Sequence, residues 1–390
     1  MTILFVAPLY EEKGERPKGG VSMYLRRVAG ALKRLGHTPV ILSFGSKNMH
    51  YVEDGIEIFF VYCPYIPFKI ESFGTICNVI HKNITINKKI SELLRERSID
   101  IIQFASIWGI SACYFGKTPA VMRLSIYTKV YRDYRDNKLE IDMLALLERL
   151  AARRCNAVFA PSNVIADAFS KAIHRKVSVI ESPFWNDSEV CDESVYNKVL
   201  NGKKYFLFFG RLVEDKGIFV LAKCLHSFFQ LHPDYYFVCC GIGASTNGED
   251  PVQVLKRAAG EHRERFLHMK PLPHSSLYPI IQHADFVVFP SLIDNFSNAC
   301  IESMYFGRVV IGTDGTSYEQ LIVDGKSGFL CEPGNEDSLL ESMNKAASMD
   351  QTQKDLMGQY AKERISKLSP QFAVRKLLRY YQYVIDNVNK

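Results

Sequence analysis

The chain has 390 residues, 47% of them apolar and 23% charged, with a formal net charge of +6. That length exceeds one ordinary core and implies two domains, while the composition excludes a disordered or fibrous chain. The charge is uneven, +9 through Pro183 and −3 beyond it, so the first half suits an anionic partner as well as it suits a solvated basic face.

The opening MTILFVAPLYEEKGERP reads as a first strand rather than a signal peptide. No run approaches the roughly 18 to 20 apolar residues of a membrane span. The ten cysteines stand singly or as the pair Cys239 and Cys240, without metal-ligand spacing. That usage points to a reduced, cytoplasmic compartment and to no metal site.

In chain order, TILFVAP, TPVILSF, IDIIQFAS, TPAVMRL, AVFAPS and KVSVIES read as strands of a first domain over residues 1–183. After the first of them, VSMYLRRVAGALKRLG sets Val21, Leu25, Val28, Leu32 and Leu35 on one helical face and stops at Gly36. The stretch SPFWNDSEVCDESVYNKVLNGKK is rich in turn residues and lacks a period, which places a linker at residues 184–203.

The same grammar resumes over residues 204–369 with YFLFFGRL, YYFVCCGIG, FLHMKPL, ADFVVFPS, RVVIGTD and GFLCEP. After Pro370 an amphipathic helix over about 370–390 offers Phe372, Val374, Leu377, Leu378, Tyr381 and Val384 for packing, expected against the first domain. Strand and helix in alternation define an α/β chain with two Rossmann-like, doubly wound parallel sheets. In such sheets ligands gather beyond the carboxyl ends of strands, here facing the cleft expected between the domains.

Three turns after strands carry the chemistry. FFGRLVEDKG joins Arg211 and Lys216 to the flexible Gly210 and Gly217, two cations suited to a diphosphate. DNFSNACIE puts Asp294 at a strand end, Ser297 or Asn298 at a helix cap, and Glu302 just over one turn inside. Unpaired amides there favour an anion, and a carboxylate in the same pocket can accept bonds from a sugar diol. PKGGVSMYL brings Gly19 and Gly20 to the start of a helix, where backbone can approach a ligand closely. The chain has no Walker sequence and no GxGxxG, which disfavours a dinucleotide dehydrogenase.

Taken together and in this order, the glycine pair, FGRLVEDKG, ADFVVFPS, DNFSNACIESMYFGRVVIGTD and DGKSGFLCEPGN resemble the retaining glycosyltransferases of the GT-B fold, family four. The likeness covers nearly the whole chain and is strongest over residues 205–335. It implies a nucleotide-sugar donor, UDP- or GDP-linked, held mainly by the second domain, with the acceptor entering from the first. By that resemblance Glu302 binds the ribose, Asp294 stands in for the first glutamate that contacts the transferred sugar, and the amides of Phe296, Ser297 and Asn298 cradle sugar and phosphate. Arg211 and Lys216 neutralise the leaving diphosphate beside Gly210, and Gly19 and Gly20 close over it. The family typically needs no metal and no separate cofactor.

The expected reaction moves a hexose to a saccharide or lipid-linked saccharide, as in bacterial surface polysaccharide assembly. Relatives carry histidine where this chain has Ser125, and a histidine pair where it has Gln103 and Ala105. Arg123, Ser125 or Tyr127 are therefore the candidates for donor or acceptor contacts from the first domain. The alternative is a catalytically weak nucleotide-sugar-binding scaffold subunit; a nucleic-acid binder is disfavoured for want of a recognised module. The nucleobase is expected near GIGAS and MKPLPHSSL. The helix with Arg26, Arg27, Lys33 and Arg34, and the stretch YTKVYRDYRDNK, would suit the anionic inner face of a membrane.

Overall fold

A computed structural model describes residues 1–15, 19–68, 71–134, 137–186, 190–243 and 249–388. The chain divides into two compact units, Met1–Pro183 with Leu368–Lys390, and Phe184–Lys367.

The first unit runs β1 (Thr2–Val6), α1 (Gly20–Arg34), β2 (Thr38–Phe44), β3 (Met49–Glu53), β4 (Ile56–Val61), α2 (Glu71–Glu96), β5 (Ile101–Ala105), β6 (Ala120–Arg123), α3 (Lys138–Arg153), β7 (Ala157–Ala160), α4 (Asn163–Ile173) and β8 (Ser178–Val179). The strands form one sheet in the order β3-β4-β2-β1-β5-β6-β7-β8. Central β1 pairs parallel on both sides, Val6 lying opposite Leu42 and Phe104. Ile3, Leu4, Phe5 and Val6 are all fully buried, because a parallel strand covered on both faces is apolar throughout rather than alternating. Among the described strands of this sheet, only β3 is antiparallel. It joins β4 through Asp54 and Gly55, both with positive φ. That Asp-Gly turn is a recognised hairpin signal which the run of strands read from the sequence passes over.

The second unit runs α5 (Ser194–Val199), β9 (Lys204–Phe209), α6 (Ile218–Leu231), β10 (Tyr235–Cys240), α7 (Pro251–Ala258), β11 (Phe266–Met269), α8 (His274–His283), β12 (Phe286–Val288), α9 (Asn298–Tyr305), β13 (Val309–Thr313), β14 (Phe329–Cys331), α10 (Glu336–Ser348) and α11 (Gln351–Ser366). Its sheet is wholly parallel in the order β11-β10-β9-β12-β13-β14. The order reverses at β9, which pairs with β10 on one side and β12 on the other. Such a switch point splays the turns beyond the strand ends and opens a crevice there.

Residues 184–203 belong to this second unit and are not a free linker. Tyr196 of α5 stacks on His283 at 4.0 Å, Ser276 donates to Asp192 at 2.9 Å, and Phe184 meets Tyr305 edge to face. A six-residue helix is too short to show a period, so the sequence leaves it looking irregular. Asp187, Ser188 and Glu189 lie outside the described residues.

The last helix, α12 (Pro370–Val388), belongs to the first unit and buries Val374, Leu377, Tyr381 and Val384. Phe372, expected to pack, is 66% exposed, and Leu378 is half-buried. In α1, Leu25, Val28 and Leu32 are buried as their spacing requires, whereas Leu35 is exposed at the helix end.

Glu148 of α3 is fully buried in the first unit and accepts a bond from the Thr128 amide at 2.9 Å and another from the Thr128 hydroxyl. Burial outweighs both bonds and pushes its carboxyl up to about 8. A folded-state value above the unfolded one means the fold favours the neutral acid. Its stabilising contribution is present below the unfolded value and is lost as pH rises through about 8. Glu148→Gln keeps the shape and an acceptor without the charge. Urea melts will show the variant gaining on the wild type between about pH 5 and pH 9; a constant difference across that range would contradict this account.

Candidate functional site

The ends of β9 and β12 are joined by backbone. After β9, Gly210 leaves the strand with φ 139° and Gly217 closes the next turn with φ 70°. A Cβ on Gly217 would fall 1.7 Å from the Pro290 carbonyl oxygen, so only glycine lets this turn lie against the turn that follows β12. The Asp215 carbonyl accepts the Leu292 amide at 3.0 Å, which ties the two turns together.

That tie carries Lys216 to Asp294. The Lys216 Nζ donates to Asp294 Oδ2 at 2.6 Å, and the Tyr318 hydroxyl donates to the same oxygen at 3.2 Å. The Tyr318 hydroxyl also lies 3.1 Å from Ser291 Oγ and 3.4 Å from Ser297 Oγ. Both protein donors therefore converge on Oδ2. Among the described residues none reaches Oδ1, while 11% of the Asp294 side chain is exposed. Burial first, then the Asp294 charge, holds the Tyr318 phenol well above its ordinary range, so it remains a donor.

Helix α9 begins at the same place. Ser297 is its N-cap, its Oγ accepting the Cys300 amide at 3.2 Å. The first bond of the helical ladder runs from Ile301 to Ser297 at 3.1 Å. The amides of Asn298 and Ala299 thus precede the ladder, at the end of the helix that carries partial positive charge. Phe296 and Asn298 are half-buried beside it.

The other expected residues stand around this centre in different ways. Arg211 is 61% exposed and lies 3.7 Å from buried Asp215, so it shares the Lys216 turn without joining the Lys216–Asp294 pair. Glu302 is buried in α9, with His274 Nε2 3.7 Å from its Oε1. His274 opens α8 and stacks on Tyr278 at 4.9 Å, so Glu302 lies beside the MKPLPHSSL segment. Of GIGAS, Gly243 bridges to Leu212, and Ala244 and Ser245 lie outside the described residues. Among the described residues no three His, Cys, Asp or Glu side chains come together to hold a metal ion.

In the first unit Gly19 caps α1 with φ 86°, and a Cβ built there meets nothing within 4 Å. Gly20 is the first residue of that helix. Arg123 is buried, its guanidinium 3.6 Å above the Tyr24 ring and bonded to Ser125 at 3.1 Å and Ser182 at 2.9 Å. Gln103 accepts from Tyr24 at 3.3 Å and from Tyr381 at 2.5 Å. These groups knit α1, β5, β6 and α12 together and give Arg123 a structural task. Ser125 is tied into the same network, its amide donating to Ser106 Oγ at 3.1 Å. Tyr127 is a core residue, 5% exposed and edge-on to Phe169 at 4.9 Å.

Tyr318, Ser291 and His274 were not found from the sequence. Tyr318 sits in DGTSYEQL, where the only signal is one aromatic residue in a polar turn directly after a strand.

Two doubly wound units, the second with cations and a helix start at its switch point, define a two-Rossmann-unit α/β architecture, and comparison specifies the family. Residues 193–364 match the family described as glycosyl transferases group 1, and residues 18–183 match glycosyltransferase family 4. The chain belongs to this family of GT-B glycosyltransferases. It is 22% identical over 421 residues to the D-inositol 3-phosphate glycosyltransferase of Corynebacterium urealyticum, covering 98% of this chain and 94% of that protein. It is 24% identical over 190 residues to the capsular polysaccharide biosynthesis glycosyltransferase CapM of Staphylococcus aureus, covering 48% of each. The E. coli trehalose-6-phosphate protein solved bound with UDP-2-fluoro glucose shares the fold, with a TM-score of 0.75 and 11% identity over 98% of this chain and 99% of that one.

Removing the Tyr318 hydroxyl tests the geometry without reference to any ligand. Tyr318→Phe leaves Asp294 with one donor and should cost roughly 1–3 kcal/mol in denaturant unfolding. Adding Ser291→Ala to it should cost little more, since the two hydroxyls share one bond. Fully additive losses would mean that the hydroxyls act apart.

Proposed function

We propose that this chain is a retaining, metal-independent hexosyltransferase that uses a UDP- or GDP-sugar and delivers the sugar to a saccharide or lipid-linked saccharide, in bacterial surface polysaccharide assembly. The observation that carries the reading is the Lys216–Asp294 pair at the start of α9. It sets a cation, free helix amides and a carboxylate oxygen side by side at a sheet switch point. The role of CapM in capsular polysaccharide biosynthesis, the glycosyl transfer carried out by the corynebacterial enzyme, and the UDP-sugar bound by the E. coli protein support the substrate classes.

Each residue then has a task set by charge. As the bond from the sugar carbon to the phosphate oxygen breaks, negative charge grows on the diphosphate and positive charge on the sugar. Lys216, Arg211 and the amides of Phe296, Ser297 and Asn298 stabilise the first, beside the open backbone of Gly210. The Asp294 carboxylate offsets the second and offers Oδ1 to a sugar hydroxyl. Glu302 accepts the ribose diol. The acceptor oxygen attacks from the face the diphosphate leaves, and its proton passes to the departing phosphate oxygen. No covalent sugar–protein intermediate is formed.

Thermal unfolding with UDP, GDP, ADP and TDP identifies the donor base: the correct nucleotide at about 100 times its Kd should add roughly 2.7 kcal/mol of stability. Glu302→Ala and Lys216→Ala should each lose most of that shift, and EDTA should leave transfer unchanged. If both variants keep the full shift, the pocket is misassigned; if EDTA abolishes transfer, the metal-independent chemistry is wrong.

A further inference from the structure

Helix α3 is apolar on two opposite faces. Its inner face buries Ala145, Ala151 and Ala152, together with Glu148, in the first unit. Its outer face carries Leu139, Leu146 and Leu150, which are 65%, 48% and 40% exposed, with Met143 half-buried between them. A surface helix that packs only inward carries polar residues on its outer face.

The outer residues follow one another at steps of four, three and four. At 3.6 residues per turn that spacing confines them to a strip about 60° wide. A helix that meets a sheet or a broad core needs a wider apolar face, whereas a strip this narrow is the seam by which one helix meets another. Beyond Leu150 the strip is continued by exposed Phe115, with the Arg154 guanidinium 4.1 Å over its ring.

The strip is complementary to itself when the two helices run in opposite directions. A two-fold axis crossing α3 between Leu144 and Ala145 sets Leu139 of one copy against Leu150 of the other, and Met143 against Leu146, so every seam residue meets an apolar one.

Charge selects the same direction. Arg149, Arg153 and Arg154 gather at the end of α3, whereas Glu140 and Asp142 lie in its first half. At that first half Lys129, Arg132 and Lys138 balance Asp133, Glu140 and Asp142, and Asp142 binds both Lys129 and Arg132. Parallel helices would crowd both sets of arginines at one end. Antiparallel helices set each arginine cluster beside a balanced end that holds carboxylates, and their dipoles attract.

We propose that the outer strip of α3 is the contact through which two copies of this chain form an antiparallel, two-fold symmetric dimer. Each helix runs about 24 Å. Two of them, with Phe115 flanking at both ends, cover an area near the low end of specific interfaces, roughly 1,200 Å² in total. The dimer therefore dissociates reversibly in the micromolar range, and its test does not depend on the transferase reading.

Full-length protein is followed by sedimentation velocity from about 1 to about 100 µM, a span that brackets such an equilibrium. The wild type should pass from monomer to dimer as concentration rises. Leu146→Lys with Leu150→Lys should raise the dissociation constant about a hundredfold while the melting temperature of the dilute monomer is unchanged. Leu231→Lys, at an exposed leucine of α6, should dimerise like the wild type. In a mixture of Leu139→Cys and Leu150→Cys chains, mild oxidation should join the two variants through those positions, as read by peptide mapping. A monomer at every concentration overturns the proposal and leaves the strip to a lipid surface or to another protein. A dimer that persists in the lysine variant overturns it too, as do links between two Leu139→Cys chains in place of the mixed link.

Discussion

The second unit is organised around a buried carboxylate that needs compensation. Asp294 sits at the end of a parallel sheet with little water to solvate its charge, and a buried carboxylate left alone is costly. Compensation comes from two donors, Lys216 from the turn after β9 and Tyr318 from the turn after β13, with the N-terminus of α9 beside them. Each donor must arrive within hydrogen-bond distance, which constrains the backbone behind it. That is why Gly217 lies where no Cβ can fit, and why the Asp215 carbonyl bonds directly to the neighbouring turn.

Stability does not explain why such a pair is kept. A buried ion pair seldom stabilises a fold more than apolar residues of the same volume would, because desolvating both charges offsets their attraction. Elsewhere in this unit Lys354 and Asp285 make a comparable pair, 2.6 Å apart, with Tyr235 bonded to the same acid. That pair fastens α11 to the sheet. The Lys216–Asp294 pair fastens nothing that the Asp215–Leu292 backbone bond does not already hold. Under the proposed function, a polyanion arriving here would compete for the lysine with more charge than one carboxylate carries.

The parallel sheets were legible from the sequence because a strand covered on both faces is a short, unbroken apolar run, and β1, β9 and β13 are such runs. The turns were legible for a related reason: a glycine with positive φ, a capping serine and a charged residue at a strand end each leave a local mark, as Gly217, Ser297 and Lys216 do. Tyr318 left only an aromatic residue in a polar turn, since it reaches Asp294 from 24 residues away and only the fold makes them neighbours. Arg123 shows the converse. A charged residue at a strand end resembles a ligand contact, and the sequence does not reveal that its guanidinium is already enclosed by Tyr24, Ser125 and Ser182. A sequence records what a residue can donate but not what the fold has already given it to bind.

The same distinction bears on the length of the acid at position 294. An aspartate reaches one methylene less far than a glutamate, so with Oδ2 held by two donors its other oxygen has little freedom to advance. Under the proposed function, the sugar must come to the carboxylate rather than the reverse. Tyr318 therefore sets both the orientation of Asp294 and the depth of the subsite in front of it. A longer acid at this position would have to displace the Tyr318 hydroxyl or turn away from Lys216, since Ser291 and Ser297 already hold that hydroxyl from its other sides. The short acid and the buried tyrosine are thus a matched pair.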